Sequence, residues 1–169
     1  MIRAALLVAG LWLGLLVASW LVAATTFRTA SHVLSADGGR QELAVKMAPL
    51  DGADRLMVMR HLASEINRSM FRTWAFLQLG LAAVLAALLW RAPGAARLLA
   101  FAAFGLMLAQ AAGLGPAIAS YGRSLDFVPR PLAPQVARGF GLLHAAYVIG
   151  DLIKAGLLAA AAVVLVRRG

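Results

Sequence analysis

The stretch Gly139–Val166, GFGLLHAAYVIGDLIKAGLLAAAAVVLV, decides the class of fold. Its 28 residues include only two charged side chains, Asp151 and Lys154, and no proline. A helix of about 20 residues spans a hydrocarbon core of about 30 Å, so this stretch is long enough to cross a membrane. The sequence predicts a transmembrane helix over about 140–166 with two ionisable groups near its middle.

Three further runs without any charge precede it: Ala4–Phe27, Thr73–Trp90 and Leu98–Gly122. They predict spans over about 4–27, 73–90 and 98–120. Apolar residues make up 62% of the chain and charged residues 14%, against about 45–50% and 25% in soluble domains. We therefore predict an all-α integral membrane protein, a four-transmembrane-helix bundle that forms a single membrane domain over residues 1–169.

The first run follows Arg3 and ends in small residues, as secretory signals do. It is longer than the 7–15 apolar residues of a signal peptide and contains Trp12 and Trp20. We expect it to remain as the first helix. Cysteine is absent, so the chain has no disulfide framework and no thiolate metal ligand.

The basic residues indicate topology. The net charge is +9, and five arginines without any acidic neighbour fall at one predicted membrane face: Arg3, Arg91, Arg97, Arg167 and Arg168. The loops 28–72 and 123–138 mix ten basic with six acidic residues. We predict a multi-pass protein of the cell membrane with both termini inside and these two loops outside. The expected partners are membrane lipids, further membrane subunits or a second copy, and no nucleic acid.

The loop 28–72 contains an amphipathic helix. Turn signals at 37–39 and 49–52 precede an apolar stripe, Leu56, Met59, Leu62, Ile66 and Met70, whose opposite face is polar. We predict that this stripe packs on the bundle and that the helix continues into the second span. In the loop 123–138, prolines at 129, 131 and 134 exclude a regular helix.

Small residues recur on the predicted spans. Gly10 and Gly14 form a GxxxG motif, Gly105 and Gly113 are eight residues apart, and Gly150 precedes Asp151. Because such residues let helix backbones approach closely in lipid, they predict helix contacts within the bundle or between protomers.

Three short segments resemble a known family. They are Phe27-Arg28-Thr29-Ala30, the stretch from Ala63 to Trp74 (ASEINRSMFRTW), and Gly141-Leu142-Leu143-His144, together with Gly115-Pro116. These residues resemble the domain of unknown function 4149 family, which is related to the transmembrane-protein-205-like proteins. The resemblance implies a fold of four membrane helices and no established reaction.

One constellation could support chemistry. On a helix, His144 and Asp151 differ by about 20° in angle and Lys154 lies about 60° from Asp151, so the three share a face. Gln78 and Gln110 lie inside other spans. Intramembrane ionisable groups mark either an ion, proton or solute path or an internal ion pair, and both interpretations remain open.

Other chemistry has little support. A haem would need a second axial ligand beside His144, and no hydrolytic triad, phosphate loop or HExxH motif occurs. We expect no catalytic residue, no metal, no cofactor and no enzymatic activity. The favoured function is a non-catalytic accessory or structural component of a membrane assembly, or a homo-oligomer. A small transporter or channel is the alternative, and a haem-binding or lipid-modifying protein is the third.

Overall fold

The computed structural model describes residues 1–33, 45–92 and 94–167, and this part of the chain is helical with turns between the helices. The helices are α1 (Ile2–Val33), α2 (Gly52–Leu89), α3 (Ala95–Ala109), α4 (Gly115–Ser124) and α5 (Pro134–Val166). A π-helical turn over Gln110–Leu114 joins α3 to α4, so that Ala95–Ser124 is one continuous helix. The turn between α2 and α3 includes Gly94, whose φ of 77° favours glycine.

Four helices are long and apolar enough to cross a membrane: Ile2–Thr29, Gly52–Leu89, Ala95–Ser124 and Pro134–Val166. The prediction of an all-α chain with four such helices is therefore confirmed. The last helix starts at Pro134, before the predicted boundary near 140. Proline is tolerated there because the first turn of a helix leaves its N–H groups without intrahelical acceptors. The proline-rich connection is correspondingly shorter than predicted.

The bundle packs through buried residues that alternate in steps of three and four. This spacing gives each helix one inward stripe, as in the seam of a coiled coil. Alanines occupy many of the positions, and small side chains allow close helix approach. The stripes are Ala5, Ala9, Trp12, Leu16 and Ser19 on α1; Ala96, Ala100, Ala103 and Met107 on α3, continued by Gln110; and Asp151, Lys154, Leu158, Ala161 and Leu165 on α5.

The outward faces are apolar as well. Large hydrophobic side chains that are at least three-fifths exposed occur on every long helix, among them Leu7, Leu21, Phe76, Leu98 and Leu142. Soluble monomers rarely expose apolar surface on this scale. A surface of this kind suits lipid as the surrounding solvent.

Most of the glycines singled out in the sequence do not lie at contacts inside the bundle. A Cβ added at Gly10, Gly14, Gly105 or Gly113 would meet nothing within 4 Å. The prediction that they mark contacts within the bundle is therefore wrong for the described residues, because alanines on a different stripe fill that role. A role between protomers remains a prediction.

Helix α2 continues without a break from Gly52 to Leu89, as predicted, and the Asp51 side chain caps its N-terminus by accepting from the Asp54 N–H at 2.7 Å. The predicted apolar stripe is wrong at two of its five positions. Leu62 and Ile66 are 52% and 43% exposed, whereas the adjacent Ala63 and Asn67 are buried and share the inward face with the half-buried Leu56, Met59 and Met70. Arg68, next to Asn67, pairs with Asp126 in the segment after α4. The turn signal at 37–39 lies outside the described residues.

Candidate functional site

An ion pair lies in the interior of the bundle. Lys154 Nζ is 2.8 Å from Asp151 Oδ1, one turn apart on α5, and the residues are 0% and 2% exposed. Of the two interpretations that the sequence left open, the structure has the internal ion pair, which the spacing and the angular offset of the two residues allow. A buried ion pair is stable only if further hydrogen bonds satisfy the charges.

The Lys154 ammonium has two further acceptors on other helices. It donates to Gln78 Oε1 on α2 at 3.1 Å and contacts Met107 Sδ on α3 at 3.4 Å. The Trp12 indole N–H on α1 donates to the same Gln78 oxygen at 3.1 Å. With Asp151 these contacts give the three ammonium protons three acceptors.

The Asp151 carboxylate accepts from two more donors. Gln110 Nε2 donates to Oδ1 at 3.3 Å, and the Trp20 indole N–H on α1 donates to Oδ2 at 3.2 Å. Both oxygens of the buried carboxylate are therefore hydrogen-bonded.

The residues of this ion-pair cluster come from all four long helices: Trp12, Trp20, Gln78, Met107, Gln110, Asp151 and Lys154. The two formal charges cancel, so the cluster is neutral as a unit. Because each helix contributes a side chain, the cluster fixes the helices in one register. The cluster can therefore hold the bundle together. In the described arrangement its two charged groups bond to each other.

Gln110 occupies an unusual backbone position. Its Nε2 also donates to the Tyr147 carbonyl at 2.8 Å, which fixes the orientation of the amide, and its fully buried Oε1 has no donor among the described residues. The π-helical turn begins at this residue. Gly150 makes room for the amide, since a Cβ there would lie 2.5 Å from Gln110 Nε2.

Gly150→Ala should therefore destabilise the bundle. The added methyl group would overlap Gln110, and overpacking of this kind costs about 1–3 kcal/mol. Thermal unfolding in mild detergent would measure the loss. Gly156→Ala, on the same helix with nothing within 4 Å, is the matched control and should leave the midpoint unchanged. Equal midpoints for the two variants would contradict the close approach.

His144 is not part of the cluster. Its side chain is exposed and stacks on Phe140 with ring centroids 6.3 Å apart. It shares an angular face with Asp151, but seven residues of helix separate the two by about 10.5 Å along the axis. Of the predicted constellation His144, Asp151 and Lys154, the structure therefore brings together only the last two. His61, another histidine of the chain, contacts Asp126.

Sequence reasoning missed three members of the cluster, Trp12, Trp20 and Met107. The tryptophans had been considered only as evidence against a signal peptide. Their signal is the indole N–H, which needs an acceptor when it is buried in an apolar helix. Gln78 and Gln110 were identified because they are the amides inside two of the charge-free runs.

A second polar cluster joins the N-terminal half of α2 to the segment after α4. Arg68 donates to both oxygens of Asp126, at 3.2 and 2.7 Å, and to Glu65 at 2.6 Å. This hydrogen bond holds the pKa of the Glu65 carboxyl below its usual value. His61 Nδ1 lies 3.1 Å from Asp126. His61, Glu65 and Asp126 are spaced as metal ligands could be, but the Arg68 guanidinium bonds to both carboxylates. We call this cluster the clasp, because it ties α2 to the segment after α4.

Comparison with known proteins gives no relative: no family model, no curated protein and no solved structure matches the chain.

Proposed function

We propose that the chain is a non-catalytic, multi-pass membrane protein that serves as an accessory or structural component of a membrane assembly, or as a homo-oligomer. The observation that supports this proposal is the ion-pair cluster. Asp151 and Lys154 are the two charged side chains of the apolar run that decides the fold, and they bond to each other and to side chains of neighbouring helices. We infer that this ion pair stabilises the bundle, and that the protein acts through contacts of its surface with other membrane components.

The resemblance to the domain of unknown function 4149 family is part of this proposal. It is supported by the short segments quoted above and by the agreement in hydropathy between this chain and a fold of four membrane helices. It adds no reaction, and so it is compatible with a non-catalytic role.

The orientation within the membrane is a proposal too, with both termini in the cytoplasm. It is supported by the arginines at the end of the bundle formed by the α1 N-terminus and the α2–α3 turn. The chain has no cysteine, so single cysteines report accessibility cleanly. An impermeant thiol reagent applied to intact cells should label Gly52→Cys and spare Ala95→Cys. The reverse pattern would show that the orientation is inverted.

Purification in mild detergent tests the accessory role. The native mass of the complex should correspond to a second copy of the chain or to a second component in fixed stoichiometry. Gly10→Leu with Gly14→Leu places bulk on the open face of α1 and should lower this mass if the face is a contact. Gly80→Leu, also with nothing within 4 Å, is the control. A colourless monomer with nothing bound would contradict the proposal, and a haem absorption band would favour the third alternative.

A transporter or channel is the second candidate, favoured by one observation. Gln110 Oε1 is buried beside Asp151 without a donor among the described residues, at a π-helical turn of the kind that is frequent at functional sites. An unbonded buried acceptor can take a water molecule or a polar solute. This candidate predicts ion or proton flux into proteoliposomes that Asp151→Asn abolishes. Absence of flux with the unaltered protein would exclude protons and the ions tested.

A further inference from the structure

Within the described part of the chain, one end of the bundle has basic side chains and no acidic ones. The arginines that the structure describes there are Arg3, Arg91, Arg97 and Arg167, and all four are exposed. The acidic residues that the structure describes lie elsewhere, in the N-terminal part of α2 and just before it, in the segment after α4 and in the middle of α5: Asp51, Asp54, Glu65, Asp126 and Asp151. Among the described residues no carboxylate pairs with these arginines, so an anion from outside the chain can bind them.

A depression of about 370 Å³ adjoins these charges. It is lined by Met1, Ala87, Leu88, Trp90 and Arg91, so that Arg91 is the one charged residue of a largely apolar lining. It brings the N-terminus of α1 next to the end of α2, and hence Arg3, two residues from Met1, to the same end of the bundle as Arg91.

Trp90 is a lining residue of this depression and is next to Arg91 in the chain. Its side chain is 64% exposed and packs against Phe101, with the ring centroids 5.6 Å apart. Arg97 Nη1 donates to the Trp90 carbonyl at 3.5 Å, which brings a second guanidinium close to the depression. Exposed tryptophan beside arginine is the usual composition at the level of lipid headgroups.

We propose that this depression binds an anionic phospholipid. Arg91, with Arg97 and Arg3 close by, interacts with the phosphate, and the wall formed by Ala87 and Leu88 contacts the first part of an acyl chain. The positive charge at this end of the bundle and the apolar wall of the depression together favour a phospholipid, since free phosphate would bind the arginines and leave the apolar wall without a contact. The proposal rests on the proposed membrane insertion and not on the accessory role.

Native mass spectrometry of the full chain in mild detergent tests the site. Phosphatidylglycerol and phosphatidylcholine with identical acyl chains are the two ligands, and phosphatidylglycerol should bind more tightly. Each arginine near a headgroup changes lipid affinity by about fivefold, so Arg91→Gln with Arg97→Gln should weaken phosphatidylglycerol binding by about 25-fold. Arg60→Gln with Arg130→Gln removes the same charge from exposed positions at the other end of the bundle and should change it by less than about twofold.

Two results would overturn the site: equal affinity for both lipids, or an equal loss in the two double variants, which would show that net charge alone attracts the lipid. Displacement of the bound lipid by inorganic phosphate at millimolar concentration would also contradict it, because the acyl contact would then add nothing. Thermal unfolding in phosphatidylcholine verifies that both variants are folded. Failure of the unaltered chain to enter liposomes would instead refute the proposed membrane insertion.

Discussion

Asp151→Asn should lower the stability of the bundle by about 3–5 kcal/mol, the usual cost of leaving one member of a buried ion pair without its partner. Lys154 is 0% exposed, and its remaining contacts, Gln78 and Met107, carry no charge. Asp151→Asn with Lys154→Gln removes both charges and should recover most of the loss. Thermal unfolding in mild detergent and the amount of folded protein in membranes would measure both effects.

Matched controls separate burial from charge. Asp54→Asn and Lys46→Gln make the same chemical changes at exposed positions and should leave stability within about 0.5 kcal/mol. Normal stability of the Asp151→Asn variant would mean that Lys154 is hydrated, or loses its proton, at little cost. The ion-pair account would then fail, and the transporter candidate would gain support.

Trp12→Ala should cost about 3–5 kcal/mol, because the side chain is fully buried and its loss leaves a cavity at the centre of the bundle. Trp12→Phe keeps most of the volume and removes only the hydrogen bond to Gln78 Oε1. That oxygen still accepts from Lys154, so this variant should lose only about 1 kcal/mol.

Leu11→Ala is the control for Trp12, since Leu11 is 54% exposed on the outward face of the same helix. It should change the unfolding midpoint little, because lipid or detergent fills the space of the missing side chain. An equal loss for Leu11→Ala and Trp12→Ala would contradict the inward orientation of Trp12. A Trp12→Phe variant as unstable as Trp12→Ala would assign the effect to the hydrogen bond instead of the cavity.

The charge-free runs and the central ion pair were predictable from the sequence. The cost of an isolated charge in apolar surroundings implies that Asp151 and Lys154 are paired, and one helical turn brings them within reach. The same cost makes Gln78 and Gln110 the natural hydrogen-bonding partners. Trp12 and Trp20 were not predicted as members of the cluster, because a hydrophobic periodicity counts tryptophan as apolar. Their indole N–H groups nevertheless donate to the cluster.

Other features depend on the surroundings of each helix, which periodicity does not record. The stripe with Leu62 and Ile66 was assigned to the interior by the rule for water-soluble proteins. The inward face is instead shifted by about one residue to Ala63 and Asn67, next to which Arg68 pairs with Asp126, and that pairing is not visible in the hydrophobic pattern. GxxxG spacing likewise does not distinguish contacts within the bundle from those between copies. The spacing of Ala96, Ala100 and Ala103 was the better guide to packing.

Solid-state NMR of the reconstituted protein tests the central claim, that Asp151 and Lys154 form a closed pair inside the bundle. The chain has only two lysines, so Lys46→Arg leaves a single ¹⁵Nζ signal, from Lys154. With ¹³Cγ-labelled aspartate, the 2.8 Å contact predicts strong dipolar dephasing of this signal and slow magnetisation transfer from water. Absence of dephasing, together with rapid transfer from water, would show a hydrated, unpaired ammonium and would contradict the account.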